Sequence, residues 1–149
     1  MTTNVYDLDR ANQFFRDRVA FTTGVHELEV MLESGRNLPG YLVVDVRYPG
    51  DYAVSRVPGA INLPKTKWRD PEAVLGADRN RTLFLYCYNQ TCHLAAEAAV
   101  ALTAAGYKVV EVEGGWAAWE ANGYRQEVGQ EKGQEKDQNA AADIQAPAA

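Results

Sequence analysis

Residues 82–94 read TLFLYCYNQTCHL, and this stretch decides the fold. It begins with an apolar run over residues 82–86 that has the length of a buried strand. Cys87 follows directly, and a short polar loop then leads into an alanine-rich helical pattern over residues 94–105, which stops at Gly106. The order of strand, tight loop and helix is typical of an α/β protein.

Similar patterns alternate on either side of this stretch. Short runs rich in β-branched residues occupy residues 42–46, 60–63 and 109–112, and apolar residues at helical spacing occupy residues 24–34. Runs that are apolar on both faces are typical of a parallel sheet covered by helices. The sequence therefore predicts an α/β fold, in which ligands bind beyond the carboxyl ends of the strands, where Cys87 lies.

The chain length and the two termini define the expected domain organisation. A chain of 149 residues has enough material for one core but not for two. From Gln126 the sequence becomes a degenerate repeat of Gln, Glu, Lys and Gly that ends in alanines and has almost nothing to bury. We expect a helical extension over residues 1–18, one domain over residues 19–125 and a disordered, solubilising tail over residues 126–149.

Composition and charge argue against several classes of partner. The net charge is −5 and the basic residues are scattered, so no basic stripe predicts a nucleic-acid partner. The first ten residues lack the apolar segment of a signal peptide, and no apolar stretch is long enough to cross a bilayer. His26 and His93 are far apart, and no cluster has the ligand count of a structural zinc site. The sequence predicts a cytoplasmic protein without a membrane or metal partner.

The two cysteines, Cys87 and Cys92, lie in one loop, which suggests reactivity rather than a disulfide framework. Backbone N–H groups of a tight loop and of the next helical turn would point at Cys87, and the helix dipole adds about half a positive charge there. We therefore predict a stabilised thiolate with a lowered pKa at Cys87. The loop alone leaves an alternative open, in which Cys87 is only a small buried residue that ends a strand.

Several motifs are dispersed along the chain. They are, in order, Val44-Asp45-Val46-Arg47, Asp51-Tyr52, Val57-Pro58-Gly59-Ala60-Ile61-Asn62-Leu63-Pro64, the cysteine loop, and Glu113-Gly114-Gly115-Trp116-Ala117-Ala118-Trp119 with Gly123-Tyr124. In order and spacing they resemble the rhodanese family over residues 19–124. Several separated matches are far more specific than one short motif.

The resemblance implies a fold and an activity. The fold is a five-stranded parallel sheet flanked by helices on both faces, and the activity is that of a sulfurtransferase that needs no cofactor. A donor such as thiosulfate or a persulfide, free or on a protein, leaves its outer sulfur on Cys87. A thiol, cyanide or sulfite then removes this sulfur from the Cys87 persulfide. The alternative is a binding module that carries or senses persulfide for a protein partner without turnover.

The residues expected to bind substrate form the loop after Cys87: Tyr88, Asn89, Gln90, Thr91, Cys92 and His93. From Tyr88 to Cys92 every side chain is uncharged, whereas many relatives carry Gly in place of Gln90 and Arg or Lys in the loop. Without a guanidinium fork, tight binding of thiosulfate is not expected, and a smaller or protein-borne persulfide donor is favoured. Related cysteine phosphatases require arginine at the position of His93, so we predict no activity on phosphate esters.

Three loop residues have alternative roles. Cys92 is either a thiol that resolves an oxidised or persulfidated Cys87 as an intraloop disulfide, or a small residue where relatives often carry serine. We favour the second role, because a disulfide in a short loop demands closely matched geometry. Thr91 is expected to cap the helix. His93 is interpreted as an incidental residue of the first turn, with proton shuttling as the alternative.

Other polar and aromatic residues near the site are interpreted as structural. Asp45, Arg47 and Asp51 are expected to tie the strand end to the following loop by ion pairs and hydrogen bonds. Arg56 is expected to be solvated at the surface, with recruitment of an anion as the alternative. The aromatic residues expected to pack rather than react are Trp68, Trp116, Trp119 and Tyr124.

Overall fold

The computed structural model of the chain describes residues 5–34 and 40–129. Helices and strands alternate over these residues. The helices are α1 Leu8–Phe21, α2 Val25–Glu33, α3 Pro49–Val54, α4 Glu72–Leu75, α5 Leu94–Ala104 and α6 Gly115–Ala121, with a short 3-10 helix at Lys65–Lys67. The strands are β1 Thr22–Gly24, β2 Tyr41–Asp45, β3 Ser55–Arg56, β4 Ile61–Asn62, β5 Thr82–Tyr86, β6 Lys108–Glu113 and β7 Glu127–Val128.

Five strands form one sheet in the order β1-β6-β5-β2-β4, and every pair in it is parallel. The four predicted apolar runs correspond to β2, β4, β5 and β6. The hydrophobic periodicity of the sequence does not predict β1, because its Thr-Thr-Gly sequence is short and polar. This strand lies at the edge of the sheet, where Thr22 pairs with Glu111. The five-stranded parallel sheet implied by the resemblance is confirmed.

Successive side chains of the strands pack on opposite faces of the sheet. On one face, Leu83 and Leu85 of β5 contact a core that includes Ala98 and Leu102 of α5. On the other face, Tyr86 lies in a second core, which contains Leu28 of α2, Val43 of β2, and Trp116 and Trp119 of α6. Each large side chain buried in this way contributes roughly 1.5–3 kcal/mol. The prediction of helices on both faces is confirmed, as is the packing role of the two tryptophans.

Both ends of the domain differ from the expected boundaries. At the N-terminus, α1 continues to Phe21, past the predicted boundary at residue 18. At the C-terminus, Glu127–Val128 pairs antiparallel with Ser55–Arg56, which corrects the predicted start of the disordered tail at Gln126. The remainder of that predicted tail, residues 130–149, lies outside the described residues.

The helices of the described ranges are short, and the longest, α1, has 14 residues. Within residues 5–34 and 40–129, none of them is both long enough and apolar enough to cross a bilayer.

Candidate active site

Cys87 lies immediately after β5, the central strand of the five-stranded sheet. Its residue surface is 3% exposed, and it belongs to the core that packs under α5. The backbone N–H groups of Tyr88 and Ala95 lie near its sulfur and favour its ionised form. The Cys87 Sγ also lies 3.4 Å from the carbonyl oxygen of Cys92, to which the thiol donates. The sulfur is therefore surrounded by two backbone donors and one backbone acceptor.

The first turn of α6 holds the beginning of the cysteine loop. The N–H groups of Trp116 and Ala117 donate to the carbonyl oxygens of Cys87 and Tyr88, and both N···O distances are 2.8 Å. A trans peptide points its N–H away from its own carbonyl. Because the Cys87 carbonyl is bound to α6, the Tyr88 N–H is directed to the opposite side, toward the sulfur.

Gly115 permits this close approach of α6 to the loop. Its φ is +59°, and a Cβ atom at this position would lie 2.7 Å from the Cys87 carbonyl oxygen and 2.9 Å from the Asn89 nitrogen. Glycine meets both requirements, since it tolerates a left-handed backbone and has no Cβ to collide with the loop.

The two thiols differ in their acidity. The pKa of Cys87 is raised to about 11, because burial is the largest influence and the interaction with the Cys92 thiol adds to it. The N–H groups of Ala95 and Tyr88 lower the Cys87 pKa but do not compensate. At Cys92, burial by itself would raise the pKa, but the interaction with the Cys87 side chain and the N–H groups of Tyr88 and Leu94 lower it. The predicted lowering of the Cys87 pKa is therefore wrong, and the resting form of Cys87 is the thiol.

The expected cap of α5 is also corrected. The residue before the helix is His93, whose side chain makes no capping hydrogen bond. Thr91 instead turns toward Asn89: its N–H and its hydroxyl both donate to the Asn89 Oδ1, at 3.1 and 2.9 Å. The Cys92 N–H donates to the Asn89 carbonyl oxygen at 3.1 Å. Asn89 thus closes a tight turn that places the Cys92 carbonyl beside the Cys87 sulfur.

A cavity of about 200 Å³ opens beside Cys87. Its lining residues are Cys87, Asn89, Gln90, Cys92, His93, Ala96, Glu111, Val112, Glu113 and Gly114. Four of the six predicted loop residues are therefore in the lining. Tyr88 and Thr91 are not, because Tyr88 turns toward Asp51 and Thr91 toward Asn89.

Glu111 and Glu113 were not predicted as site residues. They lie on β6, the neighbour of β5 in the sheet, and both line the cavity together with Val112 between them. The pKa of Glu111 is raised, first by burial and then by the negative charge of Glu113, while His93 acts in the opposite direction. Glu113 is paired with Arg18 at 3.2 Å, in a bridge that is largely exposed. The cavity wall is therefore acidic.

Beneath the loop, Asp45 and Arg47 form a buried ion pair. The two residues are 0% and 3% exposed, and the Arg47 Nη2 lies 2.8 Å from the Asp45 Oδ2. The Tyr86 hydroxyl donates to the same oxygen at 2.6 Å. Arg47 also donates to the Ser55 carbonyl oxygen at 2.6 Å, and its guanidinium lies 4.8 Å from the centre of the Trp116 ring. This cluster links β2, β5, β3 and α6.

Asp51 and Arg56 both have partners on neighbouring elements. Asp51 accepts a short hydrogen bond from the Tyr88 hydroxyl, whose oxygen accepts from the Tyr48 N–H at 3.1 Å. Arg56 is not a solvated surface residue: it pairs with Glu127 at 3.3 Å and donates to the Gly129 carbonyl oxygen at 3.3 Å. It does not line the cavity, so it is used to hold β7 rather than to recruit an anion there.

The fold and the site together define a class of α/β domain. In this class a cysteine follows a central parallel strand, lines a cavity and precedes a helix. Residues 24–122 match the rhodanese-like domain family, and the chain belongs to this family. Among solved structures, a Bacillus halodurans protein shares the fold with a TM-score of 0.72 and 23% identity, over 87% of this chain and 98% of that one. The rhodanese-like domain of an Anabaena protein has a TM-score of 0.62 and 28% identity, over 72% of this chain and 78% of that one.

Two curated proteins of Mycobacterium tuberculosis are similar in sequence. The chain is 35% identical over 94 residues to the probable adenylyltransferase/sulfurtransferase MoeZ, which is 62% of this chain and 23% of MoeZ. It is 33% identical over 81 residues to the HTH-type transcriptional regulator Rv0324, which is 54% of this chain and 35% of the regulator. The chain therefore spans a minor part of each relative.

Proposed function

We propose that this chain is a sulfurtransferase in which Cys87 carries the transferred sulfur as a persulfide. The observation that carries the proposal is the position of the Cys87 sulfur in the wall of a cavity at the carboxyl end of the sheet, with two backbone N–H groups directed at it. Backbone donors stabilise a sulfur anion and are not themselves nucleophiles. The family and the sulfurtransferase named among the relatives support the same chemistry.

The transfer takes two steps. The Cys87 thiolate attacks the outer sulfur of the donor, an S–S bond forms at Cys87, and the remainder of the donor leaves with the electron pair, as sulfite from thiosulfate or as a thiolate from a persulfide. An acceptor thiol, cyanide or sulfite then attacks the outer sulfur and regenerates the Cys87 thiolate. Because the pKa of Cys87 is raised to about 11, the thiolate fraction and the loading rate rise with pH through the neutral range.

We further propose that the preferred donor is a thiol-borne persulfide, free or on a protein, rather than thiosulfate. Glu111 and Glu113 line the cavity, and no lysine or arginine is among its described lining residues. Carboxylates this close repel a dianion and repel a neutral or zwitterionic persulfide much less. Both cysteines are free, which suits a reducing compartment such as the cytoplasm.

A second candidate function is a carrier or sensor that binds persulfide for a protein partner without turnover. The observation that favours it is the resting contact at Cys87, whose buried thiol donates to the Cys92 carbonyl at 3.4 Å. That hydrogen bond must break before the sulfur attacks a donor. While it is intact, it stabilises the protonated, unreactive form of Cys87.

The test is to incubate the protein with cysteine persulfide or thiosulfate, desalt it and determine the intact mass and the labelled peptide. We expect one added sulfur on the peptide that contains Cys87, transfer of that sulfur to cyanide, and loss of both in Cys87→Ala. A wild-type protein that gains no sulfur from either donor would contradict the sulfur-carrier proposal. A protein that gains sulfur but passes it to neither cyanide, sulfite nor a thiol would support the second candidate.

A further inference from the structure

Cys92 is a second sulfur nucleophile in the same cavity, and the transfer cycle described above does not use it. It lines the cavity with Cys87, and both cysteines are free. The Tyr88 N–H interacts with both sulfur atoms, and the two thiols also interact directly. Two thiols that share one backbone donor lie close enough to affect each other's chemistry.

The loop backbone brings Cys92 back toward Cys87. The Asn89 turn binds the Cys92 N–H at 3.1 Å, and the Cys92 carbonyl oxygen lies 3.4 Å from the Cys87 Sγ. Standard backbone geometry then puts the Cys92 Cα within about 6 Å of the Cys87 sulfur. This separation is within reach of the Cys92 side chain.

The electrostatics make Cys92 the more readily ionised thiol of the pair. Burial raises its pKa, but the interaction with the Cys87 side chain and the N–H groups of Tyr88 and Leu94 outweigh burial, so the pKa is lowered. The thiolate is the form that attacks a disulfide or persulfide sulfur. When Cys87 carries a sulfur, its Sγ has no proton to donate, but the N–H groups of Tyr88 and Leu94 still favour the thiolate of Cys92, which lies in the same loop.

We propose that Cys92 is a resolving catalytic residue that attacks the Cys87 persulfide and releases its outer sulfur as hydrogen sulfide. This inference rests on the proposed sulfur-carrier role of Cys87. The Cys92 thiolate bonds to the Cys87 Sγ, the bond between that atom and the outer sulfur breaks, and the outer sulfur leaves with the electron pair and takes up a proton. The outer sulfur is reduced to sulfide, the Cys92 sulfur is oxidised, and the Cys87 Sγ exchanges one S–S bond for another, which leaves a Cys87–Cys92 disulfide. A small dithiol reductant such as dithiothreitol returns both residues to thiols.

The experiment is a single turnover on the full chain without added reductant. Wild type, Cys92→Ser and Cys92→Ala are loaded briefly with cysteine persulfide, desalted, and followed by intact mass and by sulfide release. The wild type should lose its added sulfur, release one equivalent of sulfide and become two hydrogens lighter than the reduced protein. Because the attack is intramolecular, its loss of persulfide should be at least about tenfold faster than in either variant, which should stay one sulfur heavier and release no sulfide.

A matched control moves the thiol by one position. Thr91→Cys combined with Cys92→Ser keeps a loop thiol but places it where the side chain turns toward Asn89, so its persulfide should persist. A wild-type persulfide that lasts as long as that of Cys92→Ser would overturn the resolving role while leaving Cys87 as the carrier. Failure of both proteins to gain sulfur, with the thermal unfolding midpoint of Cys92→Ser unchanged, would overturn the carrier role and the resolving role together.

Discussion

Two polar clusters lie at the carboxyl edge of the sheet, and they differ in how far neighbouring groups neutralise their carboxylates. In the buried cluster of Asp45, Arg47 and Tyr86, the carboxylate is matched by a guanidinium and a hydroxyl at 2.6–3.1 Å. In the cavity wall, Glu111 has no ion pair within the described residues, and Glu113 has only the largely exposed bridge to Arg18. The positive charge near the site is thus used to hold the scaffold, and the cavity offers a substrate backbone donors and negative charge.

The largest effect should follow from breaking the buried cluster. Asp45→Ala leaves the Arg47 guanidinium buried without its carboxylate and the Tyr86 hydroxyl without its acceptor, so we expect a loss of about 3–5 kcal/mol in the free energy of unfolding. Urea denaturation measures it. The control is Glu33→Ala, which removes an exposed bridge to Arg125 at 3.1 Å and should cost about 0–1 kcal/mol. Equal losses in the two variants would show that the buried pair adds nothing beyond a surface bridge.

An intermediate effect is expected where the scaffold contacts the loop. Gly115→Ala adds a Cβ at 2.7 Å from the Cys87 carbonyl oxygen to a backbone at φ +59°, so we expect a loss of about 1–3 kcal/mol and impaired loading of Cys87. Gly123→Ala is the matched control, because its φ is +70° but its Cβ would enter open space. It should lose stability only through its backbone conformation, and so less than Gly115→Ala, and it should still gain sulfur at the wild-type rate. Full loading in Gly115→Ala would show that the α6 contact does not position Cys87.

The two clusters also differ in how much of them the sequence predicts. Residues 82–105 carry their own strand and helix periodicity, and Asp45 and Arg47 belong to a recognisable motif, so the strand end, the loop and the buried pair could be expected. Glu111 reaches the site only through the pairing of β6 with β5, a contact between segments that are distant in sequence. An alternation of Glu and Val at the end of a neighbouring strand was the available signal.

Finer features of the loop depend on the orientation of single peptides, which residue types do not determine. The Cys92 carbonyl points at the Cys87 sulfur because Asn89 closes a turn with Thr91 and Cys92. A count of backbone donors near a helix start predicts a lowered pKa for Cys87, whereas burial and the interaction with the Cys92 thiol raise it. Similarly, β7 depends on Arg56 binding Glu127 and Gly129, which a compositional reading of the tail does not detect.

The smallest effect is expected from the charge of the cavity wall. Removing one charge several Å from the substrate at an effective dielectric constant of about 20–40 is worth roughly 1 kcal/mol, so Glu111→Gln should raise loading by thiosulfate about three- to tenfold relative to loading by cysteine persulfide. Both donors react with the same Cys87 thiolate, so the ratio of the two loading rates does not depend on the ionisation of Cys87. The exposed Glu120→Gln on α6 should leave the ratio unchanged.

The same ratio has an expected pH dependence in the wild type. The pKa of Glu111 is raised, chiefly by burial and then by Glu113, so as the pH falls through the acidic range this carboxyl takes up its proton earlier than an ordinary glutamate does. As pH falls into that range, the wall loses a negative charge and the preference against thiosulfate weakens. In Glu111→Gln this part of the pH dependence should disappear, because the side chain no longer titrates. A wild-type ratio that stays flat over the acidic range, or a Glu111→Gln ratio that follows it, would show that donor choice is set by the loop backbone and not by the acidic wall.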